Sequence, residues 1–146
     1  MMKKISPKPL LFKLVTIEIL ESILNQPPIP ITGANVFQYY ISLEQIINAG
    51  EGVVLAICTI NILNDARDQQ LSRIKSSCIF EVSNLDSYTD KKSKIVNVPE
   101  DFRVNLNSIA ISTTRVIMFS FLKGTYLHNA ILPIVDVHSF KLNQPQ

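Results

Sequence analysis

Residues 53–63 read VVLAICTINIL and contain no charge. Odd and even positions are equally apolar, so a strand here needs cover on both faces and belongs in the middle of a sheet. Turn-forming residues bound it on both sides. Asn48-Ala49-Gly50-Glu51-Gly52 precedes it and Asn64 to Asp68 comes after it; such residues favour turns through side-chain hydrogen bonds and tolerance of left-handed backbone.

The flanking segments read as its neighbours. In 36–47, VFQYYISLEQII, Phe37, Tyr39, Ile41 and Leu43 alternate with Gln38, Tyr40, Ser42 and Glu44. Period two marks a half-buried strand. In 71–82, LSRIKSSCIFEV, Ile74, Cys78, Phe80 and Val82 share one face, and Arg73, Lys75, Ser77 and Glu81 the other. A turn centred near Asp68 sets Cys58 opposite or close to Cys78, with Cβ atoms about 4.5–5.5 Å apart if opposite. Two readings are open: a redox pair, or two small apolar residues in a reduced sheet. Residues 10–24, LLFKLVTIEILESIL, are rich in β-branched side chains and read as a first strand, with a helix as the competing assignment. Glu18 and Glu21 then lie on opposite faces. Residues 25–34 hold three prolines and a glycine and form an extended connection.

Residues 84–99 are polar, lysine-rich and loop-like, ending at Pro99. Residues 100–122 have the composition of a strand but the length of a helix, and length decides. Leu106, Ile109, Thr113, Val116 and Ser120 fall on one helical stripe. Glu100 and Asp101 suit the positive end of the helix dipole, Lys123 the other, and Gly124 the stop. Residues 125–142 read as an apolar loop leading into a short helical turn near 136–142. The expectation is one α+β domain over 1–146. It has a four-stranded antiparallel sheet, a long helix in the C-terminal half and a short terminal helix.

Composition narrows the function. Hydrophobic residues make up 47% and charged residues 18%, with a mean hydropathy of +0.21. Such a chain spans a membrane or hides its surplus apolar surface against something else. Spanning helices need roughly 20 apolar residues; the best window, Ile109 to Leu122, is shorter and contains Arg115. The Met1-Met2-Lys3-Lys4 start resembles a leader, but Lys13, Glu18 and Glu21 interrupt the apolar run behind it, and no small-residue cleavage site appears. The expected location is cytoplasmic. A net charge of +2 with mixed signs argues against nucleic acid, and Lys91, Lys92 and Lys94 read as a solvated loop. Two cysteines and two histidines at unrelated spacings make no metal set. His128 could act as a base, or sit idle in a loop; no serine or cysteine occupies a nucleophile turn. There is no phosphate-binding glycine motif. The reading is a binding protein without a catalytic site.

The order of elements then carries a resemblance. Four strands, a proline-rich link after the first, one long helix ending in SFLKGT and the apolar tail YLHNAILPIVDVHSF together resemble the SecB family of export chaperones. The tail is the most telling part, with Leu132-Pro133-Ile134-Val135-Asp136 and Phe140 in the family's positions. The resemblance covers 10–142 in layout and the last thirty or so residues as a motif.

That resemblance implies an ATP-independent holdase with no cofactor. It would assemble as a dimer of dimers and bind non-native polypeptide in apolar grooves. Classical members pass clients to the SecA motor through an acidic sheet face; Glu18, Glu21 and Glu81 make no such concentrated surface here. A chaperone dedicated to one client, such as an antitoxin, fits this charge better. Phe37, Tyr39 and Tyr40 would line one wall of a groove, and Tyr126, Leu127, Ile131 and Leu132 the other. Aromatics suit the task because they offer large contact area at little rotamer cost. The competing role for Phe37, Tyr39 and Ile41 is core packing. Ile109, Val116 and Ser120 would form a subunit interface, or else pack on the chain's own sheet. The alternative function is a structural or assembly protein with one fixed folded partner.

Overall fold

The computed structural model describes residues 8–26 and 37–133. The chain forms β1 (Leu11–Leu24), β2 (Gln38–Asn48), β3 (Val53–Leu63), β4 (Gln70–Ser83), a 3-10 turn (Leu85–Tyr88) and α1 (Glu100–Leu122). All pairings are antiparallel, in the order β1-β4-β3-β2. The sheet and long helix are as the sequence indicated. The loop 84–99 holds the short 3-10 turn and an isolated bridge between Thr89 and Val96. The short terminal helix expected at 136–142 lies outside the described residues.

β3 is an interior strand, as its apolar pattern requires, but among the described residues only one of its faces is covered. α1 packs across β3 and β4. Val54, Ala56, Cys58, Ile60 and Ile62 are fully buried beneath it, while Val53, Leu55, Ile57 and Leu63 on the outer face are half-buried. The register sets Tyr39, Ile41, Leu43 and Gln45 of β2 on the helix side and Tyr40, Ser42, Glu44 and Ile46 on the outer side.

The register sharpens one expectation and changes another. Cys58 pairs with Ser76, and Cys78 with Ala56, so the cysteines are close, as expected, as diagonal neighbours on one face. The turn centres one residue earlier than expected, on Arg67, whose φ is 62°. Asn64 fixes it, its Oδ1 accepting from the backbone of Asp68 and Gln69 at 3.1 Å each. In β1, Glu18 faces Ser77 and Glu21 faces Lys75, both on the outer side, so the two acids share a face. The cause is a bulge between Ile19 and Glu21, matched by an earlier one between Leu14 and Thr16. Each bulge adds a residue to one strand and skips the alternation by one.

α1 buries Phe102, Leu106, Ala110, Ile111, Met118 and Leu122, together with Arg103, Asn107 and Thr114. The stripe expected from spacing straddles the edge of this face. Leu106 is buried, Ile109 and Thr113 are half-buried, and Val116 and Ser120 are exposed. Two polar members of the buried face, Asn107 and Thr114, have sheet partners, which is why they fit there. Thr114 and Ser76 hydroxyls lie 2.7 Å apart, and Asn107 accepts from Gln45 Nε2 at 2.8 Å. Near the helix start the ring of Phe12 meets Phe80 and Phe102 edge-on, with centroids 5.8 Å away in each case. The helix ends at the expected place, where Gly124 takes φ 80°, a conformation that costs glycine little.

Candidate functional site

The described residues offer little to a reaction. No group of three or more His, Cys, Asp or Glu among them could hold a metal ion. Both cysteines are free and buried. Burial pushes the Cys58 thiol up to about 11, against a smaller opposing effect from its hydrogen bond to Thr114, and it also raises Cys78. A thiol held protonated is a poor nucleophile. His128 is exposed, with Nδ1 2.9 Å from the Thr125 carbonyl in its own turn. No helix among the described residues is long and apolar enough to cross a membrane.

Surface, by contrast, is abundant. β1 lies at the sheet edge, beyond the helix that covers β3 and β4. Its inner edge pairs with β4; its outer edge has no strand partner among the described residues. Phe12, Leu14, Ile17 and Ile19 point to the helix side by register, yet all are exposed, Ile19 by 58%. Leu11 and Ile23 are exposed on the outer side. Half-exposed side chains of this size forgo roughly 1 kcal/mol each of burial energy. A long apolar edge with unpaired N–H and C=O groups is a template for another strand. The helix adds Val116, 63% exposed, and Phe119 on its solvent side, with Ser120 beside them and Ile109 half-buried at the margin.

The residues expected to bind a client divide into three groups. Phe37, just before β2, and Tyr39 on its helix side are half-buried against the core, while Tyr40 is 52% exposed on the opposite face. Leu127 and Leu132 are buried in the core, and Ile131 between them is 64% exposed. Tyr126 is half-buried and donates its hydroxyl to the carbonyl of Asn25, just past the end of β1. Burial raises its pKa, as it does that of Tyr39. β1 and β2 are opposite edges, three strand spacings of about 4.8 Å apart, so the aromatic groups occupy two corners of one end of the sheet. β1 itself was missed as a surface. Its signal was present: an apolar first strand, placed at an edge by a non-sequential pairing that residue composition does not reveal.

Comparison with known proteins supports the fold. No family model matches the chain, and no curated protein is similar to it in sequence. Among solved structures it is similar to the Mycobacterium tuberculosis Rv1957 SecB-like chaperone, in complex with a ChAD peptide from the Rv1956 HigA1 antitoxin. The TM-score is 0.55 at 10% sequence identity, over 85% of this chain and 90% of that one. The chain has a SecB-like fold.

Proposed function

We propose that this protein is a SecB-like, ATP-independent chaperone of the cytoplasm that holds non-native polypeptide, serving a dedicated client such as an antitoxin. The observation that carries the reading is β1, an edge strand apolar and exposed on both faces within a SecB-like fold. Apolar surface on that scale calls for a partner. The structural neighbour, seen with an antitoxin peptide, supports a polypeptide client.

In this reading two copies join through their β1 edges. Antiparallel pairing of a strand with its own equivalent is a self-complementary, two-fold contact. Dimers then meet through the helix surface around Ile109, Val116 and Ser120, giving a homotetramer. Clients lie along the aromatic end, against Phe37, Tyr39, Tyr40, Tyr126 and Ile131. Leu127 and Leu132 join that surface if the loop after Gly124 opens. Neither SecA nor a cofactor is required.

Native mass spectrometry, alone and with a chemically unfolded client, tests assembly and holding together. Oligomers that take up unfolded client and suppress its aggregation without ATP are expected. A monomeric mass at micromolar concentration, or binding only to one folded protein, would replace the chaperone reading with that of an assembly protein.

A further inference from the structure

The bulges of β1 fix which of its residues share a face. Val15 and Leu20 are the extra residues, skipped in the pairing with β4. Leu11, Lys13, Thr16, Glu18, Glu21 and Ile23 point to the outer side of the sheet, and the other paired residues to the helix side. When two copies of a strand pair antiparallel in one sheet, the two-fold axis stands perpendicular to the sheet and keeps each face on its own side. Residues set opposite one another must then come from the same face. Among registers that overlap nearly the whole of β1, this leaves two. One is centred on Ile17 and the other on Glu18. A centre between them sets Thr16 opposite Ile19, which belong to different faces.

Charge chooses between the two. The Glu18 centre sets Glu18 against its own copy and Lys13 against Ile23, and like charges directly opposite are destabilising. The Ile17 centre sets Ile17 against its own copy, Leu11 against Ile23, Thr16 against Glu18 and Lys13 against Glu21. Within the chain, Lys75 of β4 already stands opposite Glu21, and Glu81 opposite Lys13. The Ile17 centre therefore joins them into one row across four strands: Lys75, Glu21, then Lys13 and Glu81 of the second copy, alternating in sign. The two-fold axis makes this row twice. Glu21 Oε2 accepts from Arg73 Nε at 2.6 Å, and its other oxygen can take a lysine. Lys13 makes no ion pair among the described residues, where Arg73–Glu21 is the only one. We infer that β1 pairs with β1 of a second copy in the register centred on Ile17, held by reciprocal Lys13–Glu21 contacts. This rests on the β1 joint proposed above and specifies it. An apolar client segment without a base and an acid at this spacing cannot complete the rows, so the charges of β1 favour a second copy over a client at this edge.

Sedimentation of charge variants and cross-linking of cysteine variants test it. Lys13→Glu and Glu21→Lys each put two like-charged contacts into a joint between identical copies, and each is expected to weaken association about tenfold or more. Mixing the two variants in equal amounts restores opposite charges at both contacts, so association should return. A merely structural role of either residue gives no such rescue. Cross-linking reads the register directly, because facing β-carbons about 4.5–5.5 Å apart come within reach of a disulfide. Under mild oxidation Ile17→Cys is expected to form a covalent dimer readily and Glu18→Cys far less. Cys58 and Cys78 are buried, and the unaltered protein serves as the blank. Preferential cross-linking of Glu18→Cys overturns the register and leaves the β1 joint standing, and absence of rescue on mixing overturns the charge contacts that select it. Oligomers that form no cross-link at either position overturn the joint as well, as does an unaltered protein that sediments as a monomer. Glu21→Lys also removes the ion pair with Arg73; if circular dichroism shows that it does not fold, the two cysteine variants decide.

Discussion

β3 and β1 are similarly apolar strands, yet Ile60 of β3 is fully buried and Ile19 of β1 stands mostly in solvent. β1 carries Lys13, Glu18 and Glu21 where β3 has no charge, but the larger difference is position. β3 has strand neighbours on both edges and a helix across one face. β1 has one neighbour and meets the helix near its start, through Phe12 against Phe102. Hydrophobicity states that a segment will be covered; it does not state by which chain. β3 is stabilised mainly from within the molecule, and β1 is built as though its cover came from outside.

Several substitutions would break or sharpen that contrast. The largest effect belongs to Ile60→Ala, which opens a cavity between β3 and α1 and should cost about 2–5 kcal/mol in urea unfolding. A loss below roughly 1 kcal/mol would mean the β3 side is as loosely covered as β1. Next comes alkaline pH. The Cys58 thiol is raised to about 11 from an ordinary value of 9.0. The stability linked to its protonated form is complete below the unfolded value and is lost as pH rises from about 9 through 11. At about 1.4 kcal/mol per pKa unit this amounts to roughly 2–3 kcal/mol. Cys58→Ala should flatten that part of the profile relative to the unaltered protein; matching profiles would show that the site is wet.

Thr114→Val removes the partner of the buried Ser76 hydroxyl and should cost about 1–3 kcal/mol by the same unfolding measurement. The smallest effect on folding belongs to Ile19→Lys, expected within about 0.5 kcal/mol of the parent once both are monomeric. Its effect appears elsewhere. A lysine on an edge strand discourages pairing, so sedimentation should show a shift to smaller species. An unchanged oligomer would exclude β1 as the joining surface.

Much of this architecture was legible in residue order. The uncharged run at 53–63 and the long segment 100–122 became β3 and α1 with the boundaries their turns and glycine indicated. The face of α1 was not legible from apolar spacing, because Arg103, Asn107 and Thr114 are buried there. Asn107 and Thr114 are tolerated through Gln45 and Ser76, partners distant in the chain that periodicity cannot show. The faces of β1 were hidden by two bulges, each of which advances the alternation by one residue. For the candidate site, the exposed Tyr40, Val116 and Ile131 were visible as apolar residues without a necessary core role.

The pairing of β1 with β4 also sets an order of events during folding. Strands β2, β3 and β4 are joined by short turns and can zip as a meander, whereas Ser72 bonds to the Ile23 carbonyl across 49 residues of chain. Closing that span carries an entropic cost that local hairpins avoid. Pulse-labelled hydrogen exchange should therefore protect β3 amides before those of β1, and the reverse order would refute the sequence of steps. Until β1 docks, the vacant side of β4 is a slot of the right length and chemistry for any β1, including that of a second molecule emerging nearby, so strand exchange between copies becomes a kinetic hazard that rises with concentration.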